Sequence, residues 1–597
     1  MMATAVFDSI LPSIVPFPVP PRAQKLLNYI FGIDEIARVY EQLQAGRASA
    51  SIADRLLDFL DISYETFAAD LKHIPANGSA IVTVNHPFGI LDGAILSSLL
   101  ARIRPDVRFL ANGILTIVPE LRDMVIPVDP IAGRSATSRN GRGVRRAIEH
   151  LRNGGMLVIF PAGEVAHFRW RPRAVTDAEW NPATTRLVSI VGSPVVPMYI
   201  SGANGPAFHL AGMAHRALRT ALLARELLNK RGRRIEVRIG SPINAEKLAA
   251  MATPREQVDY LRWRTHVLAT REPFKPHTSV PLSRREKRAN AESIAAPLPI
   301  ADVTAEIASL PEGCLLGGSG DLRVYLSEAS QIPNVLHEIG RLREITFRAV
   351  GEGTRTPIDS DEFDARYLHL FVWNARANEL VGAYRLAPTD VVRRRHGIRG
   401  LYTATLFRYG DAFLNRIGPA LELGRSFVRQ EYQKGFAPLL LLWKGIGAFV
   451  ARHPQYKVLF GAVSISNQYQ AVSRELMIAF LEKYAFMQDL AGLVRNRHSL
   501  KRSGRAYWPA AVLDLEDLTA SISDIEQKQT GVPILLRQYL KLGGKLIGFN
   551  VDPKFANALD GLILVDLTKT DKKLLERYLG ISEAQTFLDF QKGRYGT

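Results

Sequence analysis

In IVTVNHPFGILDG, residues 81–93, an apolar run meets an imidazole, His86, and a carboxylate, Asp92, follows within the same short loop. A neutral imidazole can take the proton from a hydroxyl as that hydroxyl attacks an acyl carbon. A neighbouring carboxylate then fixes the tautomer and stabilises the imidazolium that forms. The plainer alternative makes Asp92 the N-cap of a helix beginning at GAILSSLL. A second candidate lies in LELGRSFVRQEYQKGFAPLLLLW, which holds Glu422 and Arg425. An amine must shed a proton before it attacks a thioester, so Glu422 is a candidate relay, with Arg425 orienting it or binding an acceptor carboxylate. Further on, Lys434-Gly435-Phe436-Ala437 opens a helix. Backbone N–H groups at such a glycine turn suit a pyrophosphate or phosphopantetheine phosphate; the alternative is a helix start with a glycine for packing.

The elements that must position these residues fall on either side of a seam. REPFKPHTSVPLSRREKRANAESIAAPLPIAD, residues 271–302, is rich in Pro, Ser and charge and loses apolar periodicity, as a linker does. Before it, ASIADRLLDFLDISYETFAADL reads as helix, AIVTVN as a buried strand, DGAILSSLLARI as helix and VRFLAN as strand. GVRRAIEHLRNG then reads as helix, with GMLVIFPAG and SPVVPMYISG as strands. Strands alternating with helices predict a mostly parallel α/β sheet with its site at the strands' carboxyl ends. After the seam come the strands DLRVYLSE, LHLFVWN, ELVGAYRLAP, ALELGRSFV and YKVLFGAVSIS. IPNVLHEIGRLREITFRAV reads as one or two helices and PLLLLWKGIGAFVARH as another. The whole is expected to be α/β in two domains, a mostly parallel sandwich followed by a mixed α/β domain. The expected division is an N-terminal helical arm over residues 1–60, domains at 61–270 and 306–597, and a linker at 271–305.

With 597 residues the chain is too long for one core, and 47% hydrophobic with 22% charged content is that of a globular protein. Its single cysteine, Cys314, leaves no intramolecular disulfide and no cysteine zinc site, and fits a reducing compartment. A formal net charge of +18 favours acidic partners: an anionic lipid surface or a small acidic carrier protein. Nucleic acid is disfavoured, because no recognition motif and no basic-aromatic interleaving is present. No run reaches the roughly 20 apolar residues of a membrane span, and the proline-rich start MMATAVFDSILPSIVPFPVPPRAQ, lacking a basic n-region, reads as a surface arm. Membrane contact is therefore expected to be peripheral, on the cytoplasmic face. FHLAGMAHRALRTALLARELLNKRGRR, residues 208–234, interleaves Arg with apolar residues at helical spacing. It suits a membrane interface or an ordinary packed helix.

NHPFGILD, VIFPAGEVAHF and VVPMYISG recur in the order and spacing of the glycerolipid acyltransferases, which this part resembles over most of residues 60–245. That family carries an NH-x4-D block, an arginine block, an FPEGT block and a V-P block. Here five residues separate His86 from Asp92, and Gly89 can absorb the extra one at positive φ. Ala162 stands at the FPEGT glutamate, with Glu164 two places on. Pro130 stands about where the arginine is expected, with Arg134 four later. Since the family grips an acceptor phosphate there, the resemblance implies substrate roles for Glu164 and Arg134 toward a head group that is not a simple phosphate ester. RLREITFRAVGEG, DEFDARYLHLFVW and ELGRSFV, with residues 531–567, resemble the GNAT-related N-acyltransferases that draw on acyl carrier protein, over roughly residues 315–570. That resemblance implies that Glu422, Asp361 and Asp364 hold the amino-acid acceptor or relay its proton, with Arg425 beside them. It places the acyl donor at Lys434, Gly435 and Ala437, although Tyr432 opens that turn in place of the family's Gln or Arg. Asp361 and Asp364 also read as plain loop acids, and Arg343 and Arg348 as residues on a solvated helix face.

In this order the two parts resemble the bifunctional ornithine lipid synthases. The resemblance implies N-acylation of ornithine by a 3-hydroxyacyl chain from acyl carrier protein, then O-acylation of the 3-hydroxyl with His86 as base. It implies no metal and no redox cofactor. The alternatives are a lysophospholipid acyltransferase fused to an N-acyltransferase for glycine, glutamine or lysine, or a non-catalytic basic membrane-binding protein.

Overall fold

The computed structural model describes residues 21–45, 51–129, 136–170, 173–272, 292–500, 512, 514–526 and 530–593. Residues 1–20 and 46–50 of the expected N-terminal arm, Pro130, Arg134 and linker residues 273–291 lie outside the described residues. The chain forms two compact units: Met1–Thr278 with Ala520–Gln529, and Ser279–Thr519 with Thr530–Thr597.

The first unit is built on a seven-stranded sheet in the order β1-β9-β8-β2-β5-β3-β4. Its strands are β1 (Ser63–Glu65), β2 (Ala80–Val84), β3 (Val107–Asn112), β4 (Val125–Val128), β5 (Met156–Ile159), β8 (Val195–Ile200) and β9 (Arg234–Ile239). A small hairpin, β6 (His167–Arg169) with β7 (Ala174–Thr176), stands apart. All neighbours run parallel except β8 and β9. Every residue of β2 is buried, as a central parallel strand covered on both faces requires. The helix α1 (Ile90–Ala101) packs Leu91, Ile95 and Leu99 into the core that holds Val82, Val84 and Val158. Because β5, β2 and β8 are parallel neighbours, the loops after them emerge along one edge.

Three segments depart from the sequence reading. The helix expected over ASIADRLLDFLDISYETFAADL stops at Phe59, Asp61 takes φ +51°, and β1 follows and pairs with β9. Sheet pairing there outweighs local helical periodicity. Residues 206–228 form three short helices, Pro206–Ala214, Arg216–Ala221 and Leu223–Leu228, broken where His215 becomes extended at φ −160°. The α2 helix (Ala136–Arg152) begins seven residues before GVRRAIEHLRNG.

The second unit holds an eight-stranded sheet, β10-β11-β12-β13-β15-β16-β19-β18. These are β10 (Leu315–Ser319), β11 (Leu322–Glu328), β12 (Leu368–Asn374), β13 (Glu379–Pro388), β15 (Ala420–Val428), β16 (Val458–Ile465), β18 (Lys545–Asp552) and β19 (Ala558–Asp566). A separate pair joins β14 (Phe407–Arg408) to β17 (Arg495–Asn496). All pairings in the large sheet are antiparallel except β15 with β16. That parallel pair is joined by α4 (Ala437–Arg452), while α3 (Pro333–Ala349) is one continuous helix preceding β12. Val335, Ile339 and Leu342 of α3 pack on Phe371, Ala383 and Phe427 of the sheet.

Candidate active sites

His86 and Asp92 are joined. His86 Nδ1 lies 2.8 Å from Asp92 Oδ2, which also accepts the Phe88 and Gly89 backbone N–H groups at 2.9 Å each. A carboxylate can only accept, so Nδ1 carries the proton and donates it in this hydrogen bond, and Nε2 is left as acceptor. Gly89 makes this possible: its φ of +94° turns the five intervening residues back on themselves, and a Cβ there would meet Leu223 Cδ2 at 2.9 Å. Asp92 is therefore the third residue of α1 rather than its N-cap, the cap position belonging to Gly89. One carboxylate both ties down the helix start and orients the imidazole. Burial raises the Asp92 pKa, and the His86, Phe88 and Gly89 bonds offset part of that rise. Its second oxygen, Oδ1, is buried with no hydrogen-bond partner among the described residues.

The imidazole is clamped. It stacks on Phe160 at 4.1 Å between ring centroids, and its backbone C=O accepts the Ala166 N–H at 2.7 Å. Its own backbone N–H donates to Asp177 at 3.2 Å. Asp177 also accepts from Trp180 and lies 3.4 Å from His266. The turn after β5 thus borders His86, and the side chain keeps 18% exposure. Glu164 stands on that turn, but it is engaged by Arg219 at 2.5 Å and Arg169 at 3.6 Å. Arg219 comes from residues 208–234, where its charge reads as a face toward lipid or solvent, yet it is buried. The sequence held no signal for that inward turn.

In the second unit Glu422 is fully buried and both its oxygens are occupied. Oε2 accepts from the Tyr367 hydroxyl and from Tyr402 N–H at 3.2 Å, and Oε1 accepts from Thr403 N–H at 2.7 Å. Burial raises its pKa, and the Thr403 and Tyr367 bonds partly counter this. Arg425 occupies a β-bulge with φ +49°, where a three-residue step on β15, from Gly424 to Phe427, matches the two-residue step from Arg385 to Ala383 on β13. A regular strand would place residues three apart on opposite faces; the bulge brings Arg425 to the Glu422 side. There it covers the Tyr402 ring at 5.1 Å and the Phe555 ring at 4.9 Å. It lies 3.7 Å from both Asp359 and Asp361.

Asp361 and Asp364 are not free loop acids. Asp364 pairs with Arg343 at 2.9 Å and Arg385 at 3.1 Å, and Asp361 pairs with Arg385 at 2.5 Å. Burial pushes the Asp364 pKa up, but the two guanidiniums more than reverse it and hold the group well below the usual range. Arg343 is 1% exposed, so it does not lie on a solvated helix face; Arg348 pairs with buried Glu344 at 2.6 Å. The turn Lys434-Gly435-Phe436 leads into α4, whose N-terminus has no side-chain cap, with Phe436 89% exposed beside it. A Cβ on Gly435 would meet nothing closer than 3.8 Å, so crowding does not explain this glycine. Tyr432 bonds Glu379 and Asn374 at 2.9 and 3.0 Å, tying the turn to the sheet. Sequence reading missed Glu352 and Asp560, buried within the influence of Arg425, and Asp552, buried within that of Asp560. They lie on three separate elements, with no shared spacing to reveal them.

Residues 58–272 match the family described as Acyltransferase, and residues 342–444 match the Acetyltransferase (GNAT) domain. With one in each unit, this is a two-domain acyltransferase. A glycine N(alpha)-acyltransferase of Bacteroides thetaiotaomicron is 34% identical over 286 residues, 45% of this chain and 82% of that protein. The chain belongs to the same acyltransferase family as that enzyme. A glycine N(alpha)-acyltransferase of Phocaeicola vulgatus is 41% identical over 172 residues, 27% of this chain and 53% of that one. Among solved structures, the 1-acyl-sn-glycerophosphate acyltransferase PlsC of Thermotoga maritima covers 44% of this chain and 90% of its own, at 18% identity and a TM-score of 0.24.

Proposed function

We propose that this acyltransferase makes a di-acylated, phosphorus-free amino-acid lipid, with ornithine as the amino acid. The second unit joins a 3-hydroxyacyl chain from acyl carrier protein to the α-amine. The first unit then esterifies the 3-hydroxyl, with His86 Nε2 taking the hydroxyl proton as the oxygen attacks a second thioester. The observation that carries the reading is the pairing, on one chain, of an imidazole–carboxylate couple in an acyltransferase domain with an acid-ringed arginine in a GNAT domain.

Arg425 supplies a cation for the acceptor carboxylate. Glu352, Asp560 and neighbouring Asp552 supply more buried carboxyl groups than a single α-ammonium engages, which favours an acceptor with a second amine. The engagement of Glu164 by Arg219 and Arg169 favours a head group other than a phosphate ester. The turn at Lys434, Gly435 and Ala437 is assigned to the donor's phosphopantetheine phosphate. Net charge of +18 suits an acidic carrier and an anionic membrane surface, and exposed Leu210 and Met213 give the first unit apolar contacts for the cytoplasmic face of the membrane. Among the described residues no helix is long and apolar enough to cross a membrane.

A second reading keeps both transfers and makes glycine the acceptor. It is favoured by the names of the two relatives. Expression in a bacterium lacking aminolipids, followed by mass spectrometry, decides between them. A ninhydrin-positive, phosphate-free lipid with an ornithine head group supports the first reading, and a glycine head group selects the second. Changed phospholipid acyl composition alone would replace both with a lysophospholipid acyltransferase. No new lipid at all would overturn the enzymatic reading.

A further inference from the structure

Resting on the N-acyltransferase reading of the second unit, we propose that Glu352 is the group that takes the proton from the acceptor amine, and that Asp560 holds the ammonium beside it before transfer. The other acids near Arg425 are committed elsewhere. Both oxygens of Glu422 are occupied by Tyr367, Tyr402 and Thr403. Asp359 and Asp364 are ion-paired to Arg343, and Asp361 to Arg385, while Asp552 Oδ1 accepts the Lys554 backbone N–H at 2.9 Å. Glu422 is accordingly a positioning residue, holding the Tyr402–Thr403 backbone.

Glu352 differs. It lies in the loop after α3, held in place because its N–H donates to the Phe347 C=O at 2.8 Å and the Val350 C=O accepts from Ser466 at 2.7 Å. Its carboxylate has one hydrogen bond among the described residues, from Ser464 Oγ at 2.9 Å. Ser464 sits on β16 directly opposite Asp560 on β19. Asp560 is 5% exposed, and its Oδ2 has no hydrogen-bond partner among the described residues. These groups stand where β15 and β16 have ceased to pair: their register ends at Glu422 with Phe460. Gly424, just beyond, would find nothing within 4 Å of an added Cβ. An unpartnered buried carboxylate oxygen beside an arginine, at a strand divergence with open space, has the composition needed for an α-amino carboxylate.

The electrostatics agree with the geometry. Burial raises the Glu352 pKa to about 7, with Ser464 and Arg425 opposing the rise. Burial, Asp552 and Glu352 raise that of Asp560 well above the ordinary value, with Arg425 again opposing. A base poised near neutrality suits proton transfer at cellular pH. The ammonium gives one proton to the Glu352 carboxylate. The amine lone pair attacks the thioester carbon, and the C–S bond breaks as the C–N bond forms. The second nitrogen proton goes to the departing thiolate, and Glu352 returns its proton to solvent.

The test uses the full-length chain, 3-hydroxyacyl thioester on acyl carrier protein and ornithine or glycine, with amide followed by mass spectrometry and thiol release by absorbance. Glu352→Gln is expected to lower the amide rate at pH 7 by roughly 100-fold or more. The deficit should shrink as rising pH deprotonates the amine unaided, with KM for the thioester unchanged. Glu352→Asp should recover part of the rate. Ester formation from supplied mono-acylated lipid should persist, showing that the chain is folded. Ser464→Ala removes a bond that favours the carboxylate, so it should shift the rising limb of the pH profile upward. Wild-type rates and profile in Glu352→Gln, or an unmoved limb in Ser464→Ala, overturn the proposal. If the wild-type chain forms no amide with either amino acid, the N-acyltransferase reading fails and takes this one with it.

Discussion

Replacing Asp92 by Asn separates the two roles of that carboxylate. Three donors converge on Asp92 Oδ2, the His86 ring and the Phe88 and Gly89 amides, while Oδ1 faces no partner. An asparagine must therefore put its carbonyl oxygen where the donors meet and its NH2 where Oδ1 was. The His86 tautomer survives; the negative charge that stabilises the imidazolium does not. A hydrogen bond to a charged group is worth about 1.5–3 kcal/mol against about 0.5–1.5 for a neutral one. Because the imidazolium forms in the transition state, the difference there is about 1–2 kcal/mol, or roughly 5- to 30-fold in rate. The assay is single-turnover esterification of a 3-hydroxyacyl amino lipid by an acyl thioester, with His86→Ala run beside it. A loss as deep as that of His86→Ala would mean that the amide had turned and inverted the tautomer, against the donor count above. A loss below about threefold would reduce Asp92 to a helix-start residue and remove the couple from the chemistry.

His86→Ala should leave mono-acylated lipid accumulating in cells, and undiminished di-acylated product by mass spectrometry would exclude the imidazole as base. Asp364→Ala should cost the second unit about 3–5 kcal/mol, because it leaves the Arg343 and Arg385 guanidiniums buried without this partner; denaturant unfolding followed by fluorescence measures it. Glu352, raised by burial from 4.5 to about 7, keeps its proton longer in the folded state. Its contribution is therefore complete below pH 4.5 and lost as pH rises to about 7, on the order of 3 kcal/mol. Glu352→Gln should flatten that part of a stability-against-pH curve, and an unchanged slope would count against the burial argument.

Local sequence determined the first site because its parts are local. An apolar strand, a glycine able to take positive φ and a carboxylate six residues after the imidazole are enough to bring His86 and Asp92 together within one loop. The buried strands β2, β5 and β8 were legible for the same reason, as short apolar runs ended by turn residues. The second site depended on tertiary structure. Strand periodicity assigns Glu422 and Arg425 to opposite faces, and only the bulge against β13 sets them on one. Glu352 and Asp560 lie more than two hundred residues apart and meet because Ser464 on β16 faces Asp560 on β19. Arg219 lies buried against Glu164, on a short helix that follows the break at His215. Spacing along a chain predicts contacts within a loop, helix or strand; a carboxylate's partner across a sheet is decided by register, which the sequence near either residue does not record.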